Sequence, residues 1–141
     1  MDTALLYVQA VLGPLSNALL WLVVSLVLVT VALRVYTAIT PYDDFGLIRS
    51  GNTAVSLSLS GTLIGLILPL VAVILHTGKL GDLVLWASVA LGMQLVLLVF
   101  EAYLFPGMRK LMAEGKSESA GIWLGAMSIA GGALVAACNV P

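Results

Sequence analysis

Four long apolar segments constrain the fold of this chain more than any other feature of its sequence. They cover residues 16–36, 53–75, 83–105 and 119–140, and very few charged side chains interrupt them. A helix of about 20 residues crosses the roughly 30 Å hydrocarbon core of a bilayer, and each segment reaches that length. Transmembrane β-strands would instead alternate apolar and polar residues over about ten positions. The sequence therefore predicts an all-α, polytopic membrane protein with four transmembrane helices.

The composition supports this class and argues against others. Hydrophobic residues make up 61% of the chain and charged residues 9%, whereas soluble domains contain about 25% charged residues. A net charge of -1 and scattered basic residues give no surface for nucleic acid. The single cysteine excludes a disulfide framework, and no metal-ligand, nucleotide-binding or hydrolase motif occurs. We predict no cofactor, no metal and no enzymatic activity, and the lipid bilayer as the first partner.

The distribution of basic residues predicts the orientation. Five of the six lysines and arginines flank the first and third connections, and only Lys79 lies between the second and third spans. By the positive-inside rule, the first and third connections face the cytoplasm and both termini face outward. In a bacterium, the outer side of the inner membrane is the periplasm. Residues 1–15 contain an apolar stretch, and Gly13-Pro14 is expected to break it from the first span. We therefore predict a separate short helix lying at the outer interface.

An internal repeat is visible in the spacing of tryptophans and prolines. Trp21 and Trp86 are 65 residues apart, as are Pro41 and Pro106, and the offset becomes 64 after the prolines. Two tandem two-helix repeats would insert in the same orientation, related by an axis along the membrane normal. The predicted organisation is one membrane domain, 1–141, with an outer segment 1–15 and hairpin repeats 16–76 and 81–140.

The first connection begins with a run of turn and acidic residues at 40–44. Thr40 is a suitable helix cap, Pro41 suits a first turn, and Gly51 can end a helix, so the run predicts a short interfacial connector. The alternatives are a docking surface for a cytoplasmic or membrane partner, or a mouth that attracts cations. The candidate docking residues are Pro41, Tyr42, Asp43, Asp44 and Asn52.

Small residues follow one face of the second span and one face of the fourth. Each span also contains a GxxxG pattern, which allows close helix approach in lipid. The pattern favours packing of the two repeats against each other, and a polar path lined by Ser and Thr is the second interpretation. The candidate packing residues are Ser58, Gly61, Thr62, Gly65, Gly121, Gly125 and Gly132.

Few polar side chains occur inside the spans. Arg34 and Glu101 are charged and lie at similar depth, so they are candidates for an ion pair, for snorkelling to the interface, or for a gating, proton or ion role. Gln94, at the centre of the third span, fits either an interhelical hydrogen bond or a transport path. The uncharged side chains expected near the midplane are Ser25, Thr62, Gln94 and Ser128.

The order of motifs resembles the YjfL-like family of bacterial inner-membrane proteins, known as domain of unknown function 350. The resemblance is carried by residues 40–44, 48–54, 60–66 and 69–70, and by the last helix at 130–132 and 136–138. The second repeat departs at 115–118, so the two halves need not share a site. The resemblance implies a four-helix inner-membrane protein with duplicated hairpins, and it supplies no catalytic residues.

Family members often occur near genes for envelope-stress, membrane-remodelling or ion-channel proteins, which implies a role with partners at the membrane. We therefore expect a homo-oligomeric, non-enzymatic structural or partner-binding component of envelope maintenance or stress response. The alternative is a small oligomeric channel or transporter with a path through Gln94 and Glu101.

Overall fold

The computed structural model describes residues 2–139 of the chain, and the side chains of residues 8–139. Four helices within this part are long and apolar enough to cross a membrane, which confirms the predicted all-helical class with four candidate spans. Two short helices connect them in pairs. The elements are α1 (Asp2–Ile39), α2 (Asp44–Arg49), α3 (Thr53–His76), α4 (Leu80–Leu104), α5 (Pro106–Ala113) and α6 (Glu118–Cys138).

The predicted break at Gly13-Pro14 is wrong, because α1 continues through both residues. Proline removes one backbone hydrogen bond, and its ring normally clashes with the Cβ of the preceding residue in a helix. Gly13 has no Cβ, so that clash is absent here. The Ser16 hydroxyl also donates to the Gly13 carbonyl over 2.9 Å, which ties the next turn together. The interfacial position of residues 1–15 stays a prediction.

The pair α3 and α6 forms the centre of the bundle. α4 packs against both of these helices, and α1 packs mainly against α4. In the most apolar stretch of α3, 56% of the residues are buried, whereas in that of α1 only 17% are. The helix α1 is therefore the outermost of the four spans. Leu83 and Ala87 of α4 and Val135 of α6 belong to a core cluster that also contains Leu70 and Val73 of α3.

The two short helices close the same end of the bundle, which we call the α2/α5 end. There, Met112 of α5 is fully buried in a cluster with Val55 of α3 and Leu124 of α6. Gly51 has a φ of 88° after α2, and Gly115 has a φ of 68° after α5. Glycine adopts this left-handed conformation without a Cβ penalty, so both short helices end on a residue suited to the turn.

The connector helix α2 is capped differently from the prediction. Asp43 is its N-cap, and its carboxylate accepts a hydrogen bond from the Gly46 amide over 3.0 Å. The Thr40 amide still donates to the Tyr36 carbonyl over 3.1 Å, so Thr40 completes α1 and is too early to begin α2. Its hydroxyl instead donates to the Asp44 carboxylate over 2.6 Å.

Candidate functional site

The small residues predicted to pack lie in the contact between α3 and α6, where the two backbones touch. A Cβ added to Gly61 would collide with the backbone of Gly125. A Cβ on Gly132 would likewise collide with Gly65. Backbone atoms cannot turn aside as flexible side chains do, so these positions admit only glycine without moving a helix. All seven candidates are buried: Ser58, Gly61, Thr62, Gly65, Gly121, Gly125 and Gly132.

Four polar side chains meet beside this contact, and we call them the Ser128 cluster: Thr62, Gln94, Glu101 and Ser128. The Gln94 amide donates to the Ser128 carbonyl over 3.0 Å. The single proton of the Ser128 hydroxyl has two acceptors within reach, Glu101 at 3.2 Å and the Leu124 carbonyl at 2.9 Å. The Ser128 oxygen also accepts from the Thr62 hydroxyl over 3.4 Å. The cluster thus joins α3, α4 and α6 through one serine.

The cluster is buried but not fully satisfied. Gln94 and Thr62 are completely buried, Ser128 is 2% exposed and Glu101 is 6% exposed. Within the described residues, Gln94 Oε1 has no hydrogen-bond partner. An unpaired polar atom in low-dielectric surroundings destabilises the fold. The hydrogen bonds of the cluster therefore link the helices, while the unpaired Gln94 oxygen offsets part of that stabilisation. Of the predicted midplane layer, Ser25 stays outside the cluster, and its buried hydroxyl also has no partner in this part of the chain.

The structure does not bring Arg34 and Glu101 together. Arg34 is exposed on α1, whereas Glu101 is buried on α4 and receives the Ser128 hydrogen bond. Among residues 2–139, the ion pair that the structure contains joins Lys116 to Glu114. The described residues therefore contain no ion pair between Arg34 and Glu101, because one side chain is exposed on α1 and the other is buried on α4.

The candidate docking residues divide into two groups. Pro41 and Asp43 are exposed, and Tyr42 is half-buried. Asp44 is only 3% exposed and bonds to Thr40. Asn52 caps α3 and donates to the Met112 carbonyl over 3.0 Å. Asp44 and Asn52 therefore hold the α2/α5 end together and are not free for a partner.

Burial also changes the ionisation of two groups at this end. It raises the pKa of the Asp44 carboxyl above its ordinary value, and the hydrogen bond from Thr40 offsets part of that rise. Burial likewise raises the pKa of the Tyr42 hydroxyl. Both groups are therefore favoured in their neutral forms relative to exposed residues of the same type.

Arg109 served in the sequence-based prediction only as a charge for orientation, and the helix that carries it was missed. The Arg109 Nη2 donates to the Leu98 carbonyl over 3.3 Å, and its guanidinium carbon lies 5.9 Å from the centroid of the Tyr36 ring. Pro106 and Gly115 mark the start and stop of α5 much as Pro41 and Gly51 bracket α2. A proline before each short helix and a glycine after it is the sequence signal that would have indicated α5.

Four apolar helices around a small buried polar cluster define the class of this protein: a polytopic membrane protein. No group of three or more His, Cys, Asp and Glu residues suited to a metal ion occurs in the described part of the chain. The chain belongs to the family described as "Domain of Unknown Function (DUF350)", whose sequence profile matches residues 7–139. The resemblance noted from the motifs is confirmed.

Similar proteins agree with this assignment. The chain is 31% identical over 115 residues to the UPF0719 inner membrane protein YjfL of Escherichia coli (strain K12). The alignment covers 82% of this chain and 86% of that protein. The protein of the same name from Escherichia coli O157:H7 matches equally well. No solved structure matches the chain.

Proposed function

We propose that this protein is a non-enzymatic structural component of the bacterial inner membrane that acts in envelope maintenance by assembling with other membrane proteins, first of all with copies of itself. The observation that carries the proposal is the uncovered face of α1. A polytopic bundle normally buries polar groups of its spans against protein. On α1, several such groups lie on the side that none of the other described helices covers.

The two faces of α1 differ in their contacts. Ser25, Val29, Ala32 and Tyr36 are buried, and their helical spacing places them on one face. Thr30 and Arg34 fall on the opposite face and are exposed, together with Ser16. A threonine and an arginine facing hydrocarbon would lack polar partners, so a second copy packed on this face would stabilise them. Homo-oligomerisation through α1 follows from this argument.

The proposed orientation places the α2/α5 end in the cytoplasm and both termini outside. It is supported by the basic residues Arg49, Arg109, Lys110 and Lys116 at that end. We also infer a duplicated hairpin. In support, each half of the chain has the order long helix, short helix, long helix, and each short helix is followed by a glycine with positive φ.

Cysteine cross-linking in native membranes tests the proposed interface. In a Cys138→Ser background, Val27→Cys places a thiol on the uncovered face of α1, where Val27 is 56% exposed. Val96→Cys on α4 is the matched control, since Val96 is 68% exposed. We expect oxidation to produce a covalent dimer with Val27→Cys and not with Val96→Cys. Equal cross-linking at both positions, or none at either, would overturn the α1 interface.

A second candidate function is a small oligomeric channel or transporter. The observation that favours it is the Ser128 cluster, in which the buried Glu101 carboxyl makes no salt bridge with any residue that the structure describes. Such intramembrane carboxyls are typical functional features of membrane transport proteins. The path would pass Gln94 and Glu101 and would be completed by neighbouring copies, since four helices enclose no wide channel alone.

Ion flux into proteoliposomes separates the two candidates. For a pathway, Glu101→Gln and Gln94→Leu are expected to lower proton or potassium flux about tenfold or more. Ser88→Ala is the control, because the exposed Ser88 hydroxyl bonds only to the Val84 carbonyl of its own helix. If proteoliposomes with the wild-type protein show the same flux as empty liposomes, the channel is eliminated and the structural role remains.

A further inference from the structure

An open cavity of about 430 Å³ lies between the end of α1, the turn after it, and α5. Most of its wall is apolar and includes Ile39, Pro41, Ala102 and Pro106. The apolar spans of α1 and α4 end at Ile39 and Leu104. The cavity therefore lies at the level where the hydrocarbon core gives way to lipid headgroups.

One side of this cavity is basic. Arg109 and Lys110 both line it. The Arg109 Nε is buried and has no hydrogen-bond partner in the described part of the chain. No carboxylate of residues 8–139 pairs with Arg109 within 4.0 Å. The Arg109 guanidinium is partly buried, and Nη2 donates only to the uncharged Leu98 carbonyl. A partly buried guanidinium whose charge is not matched by an acid favours binding of an anion.

The neighbouring acids are engaged elsewhere. Glu114 lines the cavity, but its carboxylate is 2.6 Å from the Lys116 ammonium. Asp44 and Glu101 lie near enough to interact electrostatically with Arg109, yet each accepts a hydrogen bond from a hydroxyl group. The Tyr42 hydroxyl, also from the cavity wall, is buried without a partner among the described residues. The cavity thus combines two cations with an unused hydroxyl donor.

We propose that this cavity binds the phosphate group of an anionic phospholipid. The Arg109 guanidinium and the Lys110 ammonium contact the phosphate. A small movement of the Tyr42 ring uncovers its buried hydroxyl, which then donates to one of the phosphate oxygens. The glycerol and upper acyl chains lie along the apolar wall at Pro41 and Pro106. The apolar wall and the position at the end of the spans favour a lipid over free inorganic phosphate, and basic pockets between helices at this level are typical lipid-headgroup sites.

Native mass spectrometry of the full chain, exchanged into detergent free of cellular lipid, tests the site with phosphatidylglycerol as the probe. We expect one tightly bound phosphatidylglycerol per chain, and phosphatidylcholine binding at least about tenfold more weakly. Arg109→Gln should weaken phosphatidylglycerol binding about tenfold or more. Arg49→Gln is the matched control: Arg49 is exposed at the same end and does not line the cavity.

Milder variants keep the test decisive if Arg109→Gln fails to fold. Tyr42→Phe removes one hydroxyl and Lys110→Gln one exposed charge, and each should weaken binding about threefold or more. Equal binding by wild-type protein and all three cavity variants would overturn the site. An equal loss in Arg49→Gln would show general surface attraction instead. Displacement of the lipid by millimolar inorganic phosphate would overturn the choice of a lipid.

Discussion

The side-chain amide of Asn52 donates a hydrogen bond to the carbonyl oxygen of Met112 over 3.0 Å, although the two residues are 60 positions apart. The same amide lies 3.3 Å from the Ala113 carbonyl. Its oxygen accepts from the Val55 amide over 3.0 Å, which caps α3. One side chain therefore satisfies the first turn of α3 and the last carbonyls of α5, and so links the two halves of the chain.

Replacing Asn52 should destabilise the protein more than removing an ordinary helix cap. Asn52→Ala removes the cap of α3 and the bonds to α5, at a combined cost of about 2–3 kcal/mol. Ser117→Ala is the matched control, because Ser117 caps α6 through Ala120 at 3.2 Å without bonding to another helix. Its expected cost is about 1 kcal/mol. Denaturant titration in mixed micelles measures both, and equal losses would contradict the linking role of Asn52.

Adding a single methyl group to the α3/α6 contact should have a large effect. In Gly121→Ala the new Cβ would lie 2.7 Å from the Ala54 Cα, so the helices must separate, at an expected cost of about 1–3 kcal/mol. Gly92→Ala is the control on α4, where nothing lies within 4 Å of the added Cβ. It should be neutral or stabilise by up to about 1 kcal/mol. The same denaturant titration measures both variants. Similar stabilities of Gly121→Ala and Gly92→Ala would refute the close backbone contact.

These two cases show which features a single sequence can predict. Small residues at helical spacing leave a visible stripe, so the faces of α3 and α6 were recognisable before their contact was known. Asn52 carried no comparable signal, because its partners are backbone carbonyls that follow from the fold and not from side-chain types. From the sequence, Arg109 contributed only a positive charge to the prediction of orientation. Its contact with Tyr36 depends on where the fold places α5 relative to α1.

A double-mutant comparison should couple Glu101 to Ser128 and not to Arg34. Ser128→Ala removes the hydroxyl that bonds to Glu101, and leaving a buried carboxyl unpaired costs about 1–3 kcal/mol. The combination with Glu101→Gln should therefore deviate from additivity by about 0.5 kcal/mol or more. Arg34→Gln with Glu101→Gln should be additive, because Arg34 is exposed and makes no ion pair in residues 2–139. Coupling of Arg34 in place of Ser128 would contradict the arrangement of the cluster.

The buried Asp44 should make stability depend on pH. Burial raises the pKa of its carboxyl in the folded protein above the ordinary value of 3.8, so the folded state binds the proton more tightly than the unfolded state. The stabilising contribution of the neutral group is complete below that ordinary value and is lost as pH rises through the raised value.

Asp44→Asn keeps an acceptor for the Thr40 hydroxyl but cannot ionise. Thermal unfolding in detergent from about pH 4 to about pH 8 should therefore show a steeper decline for the wild-type protein than for Asp44→Asn. The variant should be the more stable of the two at neutral pH, and parallel curves would mean that burial of Asp44 is not energetically significant.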